Sequence, residues 1–409
     1  MTEFFPFRGM YFNHDRVKGS DVIAPPYDII SPEKQEELYR RSQYNIVRID
    51  FGKVLPGDDN ENRYTRASRY LASWLSENVL LRHPHPAYYI YEATYEHEGF
   101  LRRLRGIIGK LKLVELGQGV YPHEETHSAP KVDRLNLMRF CRANISPIFS
   151  LYRSRGQSAA QIIEDAVTRE PYLEAVDDAG AAHRMWMVDQ EEAVRTIREE
   201  ISGAPVFIAD GHHRYETAIA YRNELQERSG QPGDASSDHV MMFLVDMADK
   251  GLTILPTHRL VRNVPENILE LFAPHFEIRV EKSRDIVQAL AGHERAIGMY
   301  LQRDDTFYLL RPSAVDLGNI SPILRDLDVI VLHELIFKKL LNTDIITYEM
   351  DPQRCIRLVQ QREYDAVFFL KPTRVQDIEK VALAGLRMPP KSTYFYPKLL
   401  TGFVMHPFE

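Results

Sequence analysis

Cysteine is scarce, with only Cys141 and Cys355 in 409 residues and no paired spacing, so neither a disulfide framework nor a Cys-based zinc site is expected. Long apolar runs are also missing. No stretch approaches 18 uncharged apolar residues, and no segment is expected to span a bilayer. The opening Met-Thr-Glu-Phe-Phe-Pro-Phe-Arg has neither the basic start nor the apolar run of a signal peptide, which makes a cytoplasmic location the expectation. An excess of positive charge is lacking too: the formal net charge is -7. Nonspecific nucleic-acid binding requires a basic surface that displaces counterions, and there is neither a basic domain nor a clear helix-turn-helix pattern here. A local basic pocket for a small anion is still compatible with that charge. Internal repeats and low-complexity blocks are absent.

What is present suits a folded protein. The chain is 44% hydrophobic and 27% charged, and its length calls for two or three domains. The divisions expected are an N-terminal α+β region with a β-hairpin (1–115), a phosphate-binding core (116–261) and a C-terminal α/β region (262–409). Ser31 followed by Pro32 reads as a helix N-cap with proline at the first helical position, the helix running through Leu38. Apolar spacing at Ala67, Tyr70, Leu71 and Leu75 predicts a helix over 64–81. Residues 88–95 and 101–113, joined across Glu98-Gly99, read as a hairpin in which Gly106 and Gly109 mark bulges or close approach. Helices are then expected over 131–143 (with Leu135, Met138 and Arg142 as neighbours), 192–201 and 214–227, and strands over 148–152, 206–209 and 240–246. Residues 227–239 form a polar loop suited to a lid. Further on, 297–301 and 306–310 suggest a second hairpin, 329–341 a helix, 366–370 a strand and 376–384 a helix. Strands separated by helices favour a mixed α/β (α+β) sheet.

The most informative segment is Ala209-Asp210-Gly211-His212-His213-Arg214. An apolar strand runs into Asp-Gly and then directly into a helix whose buried stripe is Tyr215, Ala218, Ile219 and Leu225. A helix start offers unpaired backbone N–H groups and the positive end of the dipole to an anion. Gly211 permits close backbone approach and positive φ. The two imidazoles and the Arg214 guanidinium add side-chain donors suited to phosphate oxygens. The bland alternative is an Asp210 N-cap with the basic residues on a solvated turn.

His123-Glu124-Glu125-Thr126-His127 formally matches H-E-x-x-H, a zinc-hydrolase signature that needs both histidines on one helical face. Pro122 and Pro130 flank the match too closely for a stable amphipathic helix. Read as a strand end or loop, the segment instead offers a carboxylate able to take a proton from an attacking hydroxyl or to hold Mg²⁺. His258-Arg259, after the strand-like 252–255, suits either a substrate contact or a core pairing. Asp21 and Tyr27-Asp28 sit in a proline-constrained loop read here as a docking turn.

Two resemblances follow from these residues. Asp210-Gly211-His212-His213-Arg214 resembles the phosphate-binding motif of the ParB/sulfiredoxin superfamily, and within it the form carried by free-serine kinases, which also have an upstream His-Glu segment. Across nearly its whole length the chain is similar to the family called domain of unknown function 1015. The segments that carry this likeness are Ala24-Pro25-Pro26-Tyr27-Asp28, His123-Glu124 with Thr126, Lys131 with Asp133-Arg134, Asn144 with Pro147-Ile148, the turn itself, Leu255-Pro256-Thr257-His258-Arg259 and Pro389-Pro390-Lys391-Ser392-Thr393. The resemblance implies a ParB/sulfiredoxin-like mixed-sheet core with additional N- and C-terminal α/β regions.

It also implies phosphoryl transfer from ATP, ADP or pyrophosphate, with Mg²⁺, to a small hydroxyl acceptor, most simply L-serine giving O-phosphoserine. Glu124 would be the base and Gly211, His212, His213 and Arg214 the phosphate cradle, with His213 also counted as catalytic. Asp210 would bind Mg²⁺, with Glu124, or orient a histidine. Lys391 and Thr393 would contact phosphate or acceptor, and Glu125, Thr126, His258 and Arg259 are candidate substrate contacts. The partners expected are the substrate and donor, without nucleic acid or membrane, and a homo-oligomer is compatible. The alternatives are a ParB-like protein that binds or hydrolyses nucleotide to regulate a partner and, behind it, a zinc hydrolase using His123 and His127. A histidine, His212, stands where sulfiredoxin has its reactive cysteine, which disfavours that chemistry.

Overall fold

The computed structural model describes residues 2–58, 61–126, 128–229, 236–283, 285–313 and 316–408, and for 128–130 the backbone alone. Local rules set many of the elements. Ser31 Oγ accepts the Lys34 amide and caps a helix over Pro32–Arg41. Glu98 and Gly99 both adopt positive φ, 52° and 77°, the backbone of a tight hairpin turn, between strands Tyr88–His97 and Phe100–Lys112. Gly106 and Gly109 are sites of close approach. A Cβ on Gly106 would lie 2.4 Å from the Leu244 carbonyl oxygen, and one on Gly109 would lie 2.4 Å from the Phe4 ring.

Two compact units result. The first comprises Met1–Pro122, Thr126–Leu252 and Pro397–Glu409, and the second His123–Glu125 with Thr253–Tyr396. In the first, a nine-stranded mixed sheet runs in the order Val120–Tyr121, Val206–Asp210, Ile148–Tyr152, His239–Asp246, Phe100–Lys112, Tyr88–His97, Ala182–Val188, Leu173–Val176, with Phe4–Phe5 added to Phe100–Lys112. The hairpin assigned from sequence to a separate N-terminal region therefore shares one sheet with strands of the expected phosphate-binding core. Ile148–Tyr152 pairs antiparallel with Val206–Asp210 and parallel with His239–Asp246, so the sheet is mixed, as the α/β pattern implied. Its centre is apolar: Val206, Phe207, Ile208, Phe243, Leu244 and Ile107 are wholly buried. Pro397–Glu409 closes this unit, through His406–Pro407 on Ala143–Asn144 and through bridges from Thr401 to Ala24 and Met405 to Met10.

The second unit has a six-stranded sheet in the order Phe276–Glu281, Thr306–Pro312, Ile297–Leu301, Ala366–Phe369, His258–Val261, Thr347–Glu349, and a two-stranded pair of Thr253–Leu255 with Tyr394–Tyr396. Among the described residues no helix is long and apolar enough to cross a membrane.

Several boundaries differ from expectation. The helix read over 64–81 is Arg63–Ser76. Asn78 turns left-handed at φ 56°, and Leu80–Arg82 is instead recruited as a strand against Met10–Phe12, a tertiary pairing that helical spacing cannot reveal. The helix read over 131–143 is Ser128–Cys141. Arg142, at φ 49°, lies beyond its end rather than on its face. The helix expected over 329–341 is continuous but mostly π-wound, over Val331–Leu341. Of the loop expected over 227–239, residues 230–235 lie outside the described residues, while 227–229 continue the helix, Ser236–Asp238 is a 3-10 turn and His239 begins a strand.

Burial makes the fold sensitive to acid. His406 is 2% exposed, with Nδ1 3.3 Å from Asn144 Oδ1. Burial lowers its pKa from 6.5 to about 3. The unfolded chain therefore binds a proton that the folded chain refuses, and stability must fall as pH drops from 6.5 towards about 3. Melting temperature measured across this range should decline, and His406→Gln should flatten the decline. An unchanged acid limb in the variant would assign the sensitivity elsewhere.

Candidate functional site

In the first unit, the strand Val206–Asp210 delivers the chain to Gly211, and the helix begins at His212 rather than Arg214, running to Ser229. His212, His213 and Arg214 thus occupy the first helical turn, where the backbone N–H groups lack intrahelical acceptors. Gly211 has φ +99°, a conformation side chains resist. Its missing Cβ matters twice: a methyl group there would sit 2.9 Å from Nε and Nη2 of Arg214. The guanidinium folds back over the glycine, across the helix start.

Arg214 is held in that pose by Nη1, which donates to Ser146 Oγ at 3.1 Å and the Pro147 carbonyl at 2.5 Å. The Asp210 carboxylate lies 3.6 Å from Arg214 Nη2 and 3.4 Å from Lys398 Nζ. Three positive features therefore meet at one point: a helix start, a guanidinium and an ammonium. Asp210 partly neutralises them in the free protein, and an incoming phosphate would compete with it for the same donors. Lys398 was not found from sequence. It follows Pro397, far from the turn along the chain, with no local pattern to mark it.

A buried polar network lies behind the turn. Arg134 donates to Asp50 Oδ1 at 2.7 Å, to the Asp50 carbonyl at 2.8 Å and to Asp133 Oδ2 at 2.5 Å. Asp133 also accepts from Arg63 at 2.5 Å and from the Tyr64 hydroxyl at 2.8 Å. The Arg134 guanidinium sits 3.8 Å over the Tyr27 ring. A cavity of about 30 Å³, room for about one water, is lined by Asp50, Arg134, Asn144, Ser146 and Arg214 among others. Burial raises the Asp50 pKa against the opposing pull of Arg134 and Arg214. Asp133 is held below the usual range: burial raises it, but the Arg134 and Arg63 charges prevail. Tyr27 is pushed up to about 12, chiefly by burial. Tyr27, read from sequence as part of a docking turn, packs on this network. Thr126 Oγ1 and Lys131 Nζ both reach Glu216 on the turn's helix, at 2.8 and 2.5 Å.

In the second unit, Glu124 is extended, not helical, and bridges in parallel to Met388. The helical H-E-x-x-H geometry is therefore not formed at 123–126, while His127 lies outside the described residues. The tail and the acid segment come together. Glu124 Oε1 accepts from the Thr393 amide at 2.8 Å and from its hydroxyl at 2.7 Å, and His123 Nε2 is 2.9 Å from the same hydroxyl. Arg387 donates to the Glu124 carbonyl at 2.9 Å. The adjacent Glu125 is exposed, so Glu124 is the carboxylate that the unit orients. Lys391, at φ 58°, presents its carbonyl to Arg259 at 3.0 Å. His258 is wholly buried, with Nδ1 facing the Leu370 amide at 3.4 Å and its ring beside Phe369, a core placement rather than an open contact.

Mg²⁺ fits the assigned side chains poorly. The Asp210 carboxylate already faces two cations, and one Glu124 oxygen takes two hydrogen bonds from Thr393.

Gly211 offers a direct probe of the turn. Gly211→Ala brings both φ strain, of about 1–3 kcal/mol, and a clash that displaces Arg214. Pyrophosphate affinity by calorimetry should fall about tenfold or more. Unchanged affinity would show that the guanidinium pose is irrelevant to anion binding.

Fold and residues together define a mixed α/β protein with a basic strand-to-helix turn. Over residues 4–330 the chain matches the model of the family described as "Protein of unknown function (DUF1015)", and it belongs to that family. Solved structures similar to it include a conserved hypothetical protein from Pyrococcus furiosus, with 13% identity, covering 72% of this chain and 92% of that one at a TM-score of 0.38. A free serine kinase in complex with AMP shows 11% identity, 71% and 86% coverage and a TM-score of 0.38. SbnI with C-terminal truncation, from Staphylococcus aureus, shows 14%, 71%, 85% and 0.37. Likenesses this slight say nothing of activity. No curated protein matches the chain.

Proposed function

We propose that the chain is a phosphotransferase. The turn at Gly211–Arg214 binds the phosphates of a nucleotide or pyrophosphate, and Glu124, assigned by the motif resemblance, takes the proton from a small hydroxyl acceptor, most simply L-serine. The acceptor oxygen then attacks the terminal phosphorus, the bond to the departing phosphate breaks, and O-phosphoserine forms. The observation that carries this reading is the Gly211–Arg214 arrangement. A positive-φ glycine lets a fixed guanidinium and Lys398 flank a helix start, which is a preorganised receptor for phosphate oxygens. The motif resemblance to free-serine kinases supports the acceptor.

Phosphoryl transfer asks mainly for positioning and charge stabilisation. Arg214, Lys398 and the helix N–H groups supply the charge. Thr393 fixes the Glu124 carboxylate through two donors. His213, on the first helical turn, is assigned to the donor phosphates with His212.

The test is product formation. Purified protein, L-serine and each of ATP, ADP and pyrophosphate, with and without Mg²⁺, are followed for phosphoserine by mass spectrometry. No product with any donor would defeat the reading, and nucleotide hydrolysis indifferent to L-serine would favour a regulatory nucleotide-binding protein instead.

A further inference from the structure

Arg259 heads the largest fully buried side chains among the described residues, 1% exposed. It lies on the strand His258–Val261, opposite Phe368 on one side and Tyr348 on the other, with its guanidinium 5.5 Å from the Tyr348 ring centroid. Its hydrogen-bond partners among the described residues are main-chain carbonyls: Nη1 donates to Thr257 and Nη2 to Lys391. Nε has no hydrogen-bond partner among the described residues. A buried guanidinium is normally compensated by a carboxylate, because an uncompensated charge in the interior is costly. The cost is visible here, since burial lowers the Arg259 pKa to about 10 even against the opposing pull of Tyr348 and the more distant Glu124, which gives it no hydrogen bond.

Two of the other buried atoms without a hydrogen-bond partner among the described residues are related to it, one by sequence and one by charge. One is Thr257 Oγ1, on a residue 3% exposed whose own carbonyl Arg259 grips. The other is His333 Nε2, on a residue 7% exposed. The helical segment that carries His333 packs Phe337 against Phe368, the cross-strand neighbour of Arg259, at 5.4 Å. Burial, and then the Arg259 charge, hold His333 neutral, with its pKa near 3. His258 Nε2 is unpartnered too, but alternation along the strand turns it to the opposite face.

We infer that Arg259, Thr257 and His333 form a carboxylate subsite in the second unit, which takes the carboxylate of a hydroxy amino acid. A single positive charge with a hydroxyl and a neutral imidazole matches a monoanion; a phosphoryl dianion asks for more charge. Glu124 lies within electrostatic reach of Arg259, which places the subsite and the base in the same unit. The inference rests on the phosphotransferase reading only in naming the acceptor's class, amino acids rather than simple alcohols.

Calorimetry without any donor tests it, with L-serine, serinol (the same molecule with a hydroxymethyl in place of the carboxylate) and inorganic phosphate as probes. L-serine should bind and serinol should bind about tenfold more weakly or worse, the worth of one charged hydrogen-bonded contact. Arg259→Lys, which keeps the charge but loses the planar fork, should weaken L-serine by a similar factor. His333→Gln, a smaller perturbation of the interior, should weaken it severalfold, and melting curves verify that both variants are folded. Failure of L-serine to bind, equal binding of serinol, or wild-type affinity in both folded variants overturns the inference and leaves water as the partner of these atoms. Loss of inorganic phosphate binding with L-serine untouched overturns it in favour of a phosphoryl site. The outcome is separable from the catalytic reading. An inactive protein that still discriminates L-serine from serinol keeps the subsite, whereas turnover of both with equal KM removes the subsite and keeps the activity.

Discussion

Glu124→Gln should abolish phosphoserine formation, by about 10²–10⁴-fold in kcat, the usual contribution of a general base, while leaving the fold and pyrophosphate binding intact. The substitution is nearly isosteric. The Thr393 amide and hydroxyl, which donate to Glu124 Oε1 at 2.8 and 2.7 Å, can donate equally to an amide oxygen. What disappears is the capacity to accept a proton. The neighbouring Glu125 controls for charge alone: it is exposed, and Glu125→Gln should retain wild-type turnover. A Glu124→Gln enzyme with wild-type kcat, or a loss seen equally in both variants, would remove Glu124 from the chemistry. A Thr393→Val variant should give an intermediate loss, because it leaves the base present and one of its two donors gone.

The second large effect concerns stability. Arg134→Met should destabilise the first unit by about 3–5 kcal/mol, read as a lower melting temperature or denaturation midpoint. Arg134 and Asp50 are 5% and 3% exposed, and Asp50 Oδ2 already lacks a hydrogen-bond partner among the described residues. Removing the guanidinium strands the Asp50 carboxylate in the interior and takes two hydrogen bonds from Asp133 as well. Pairing the change with Asp50→Leu should recover much of the loss, because the stranded charge rather than the missing bond dominates. A single variant as stable as wild type would show that the network is solvated in solution. Since Asp50, Arg134, Ser146 and Arg214 line one cavity, the single variant should also weaken pyrophosphate binding through a loosened Arg214.

Local signals in the sequence located much of this. The Ser31-Pro32 helix start, the Glu98-Gly99 hairpin and the glycine-marked strand that follows rest on short-range chemistry, and the structure has them. The strand-to-helix turn was legible because its residues are contiguous. What escaped depends on distant pairing. Leu80–Arg82 is a strand only because Met10–Phe12 lies beside it. Asp50 sits in Ile49-Asp50-Phe51 with nothing nearby to announce a buried ion pair, and His333 sits inside an apolar helix that reads as core. Lys398 reaches Asp210 from the far end of the chain. The Pro390–Thr393 tail was singled out by resemblance, but its contact with His123 and Glu124 spans about 270 residues, beyond the reach of any periodicity.

The order in which the first unit is assembled imposes a schedule on biosynthesis. Its sheet ends on strands made early, yet its seams at Ala24, Met10 and Ala143–Asn144 are closed by Pro397–Glu409, which leaves the ribosome after the whole second unit. Residues 253–396 of the second unit are made before that closing segment emerges, and the first unit cannot finish until it does. A nascent chain stalled between the two should therefore be prey to chaperones and proteases through its first unit rather than its second.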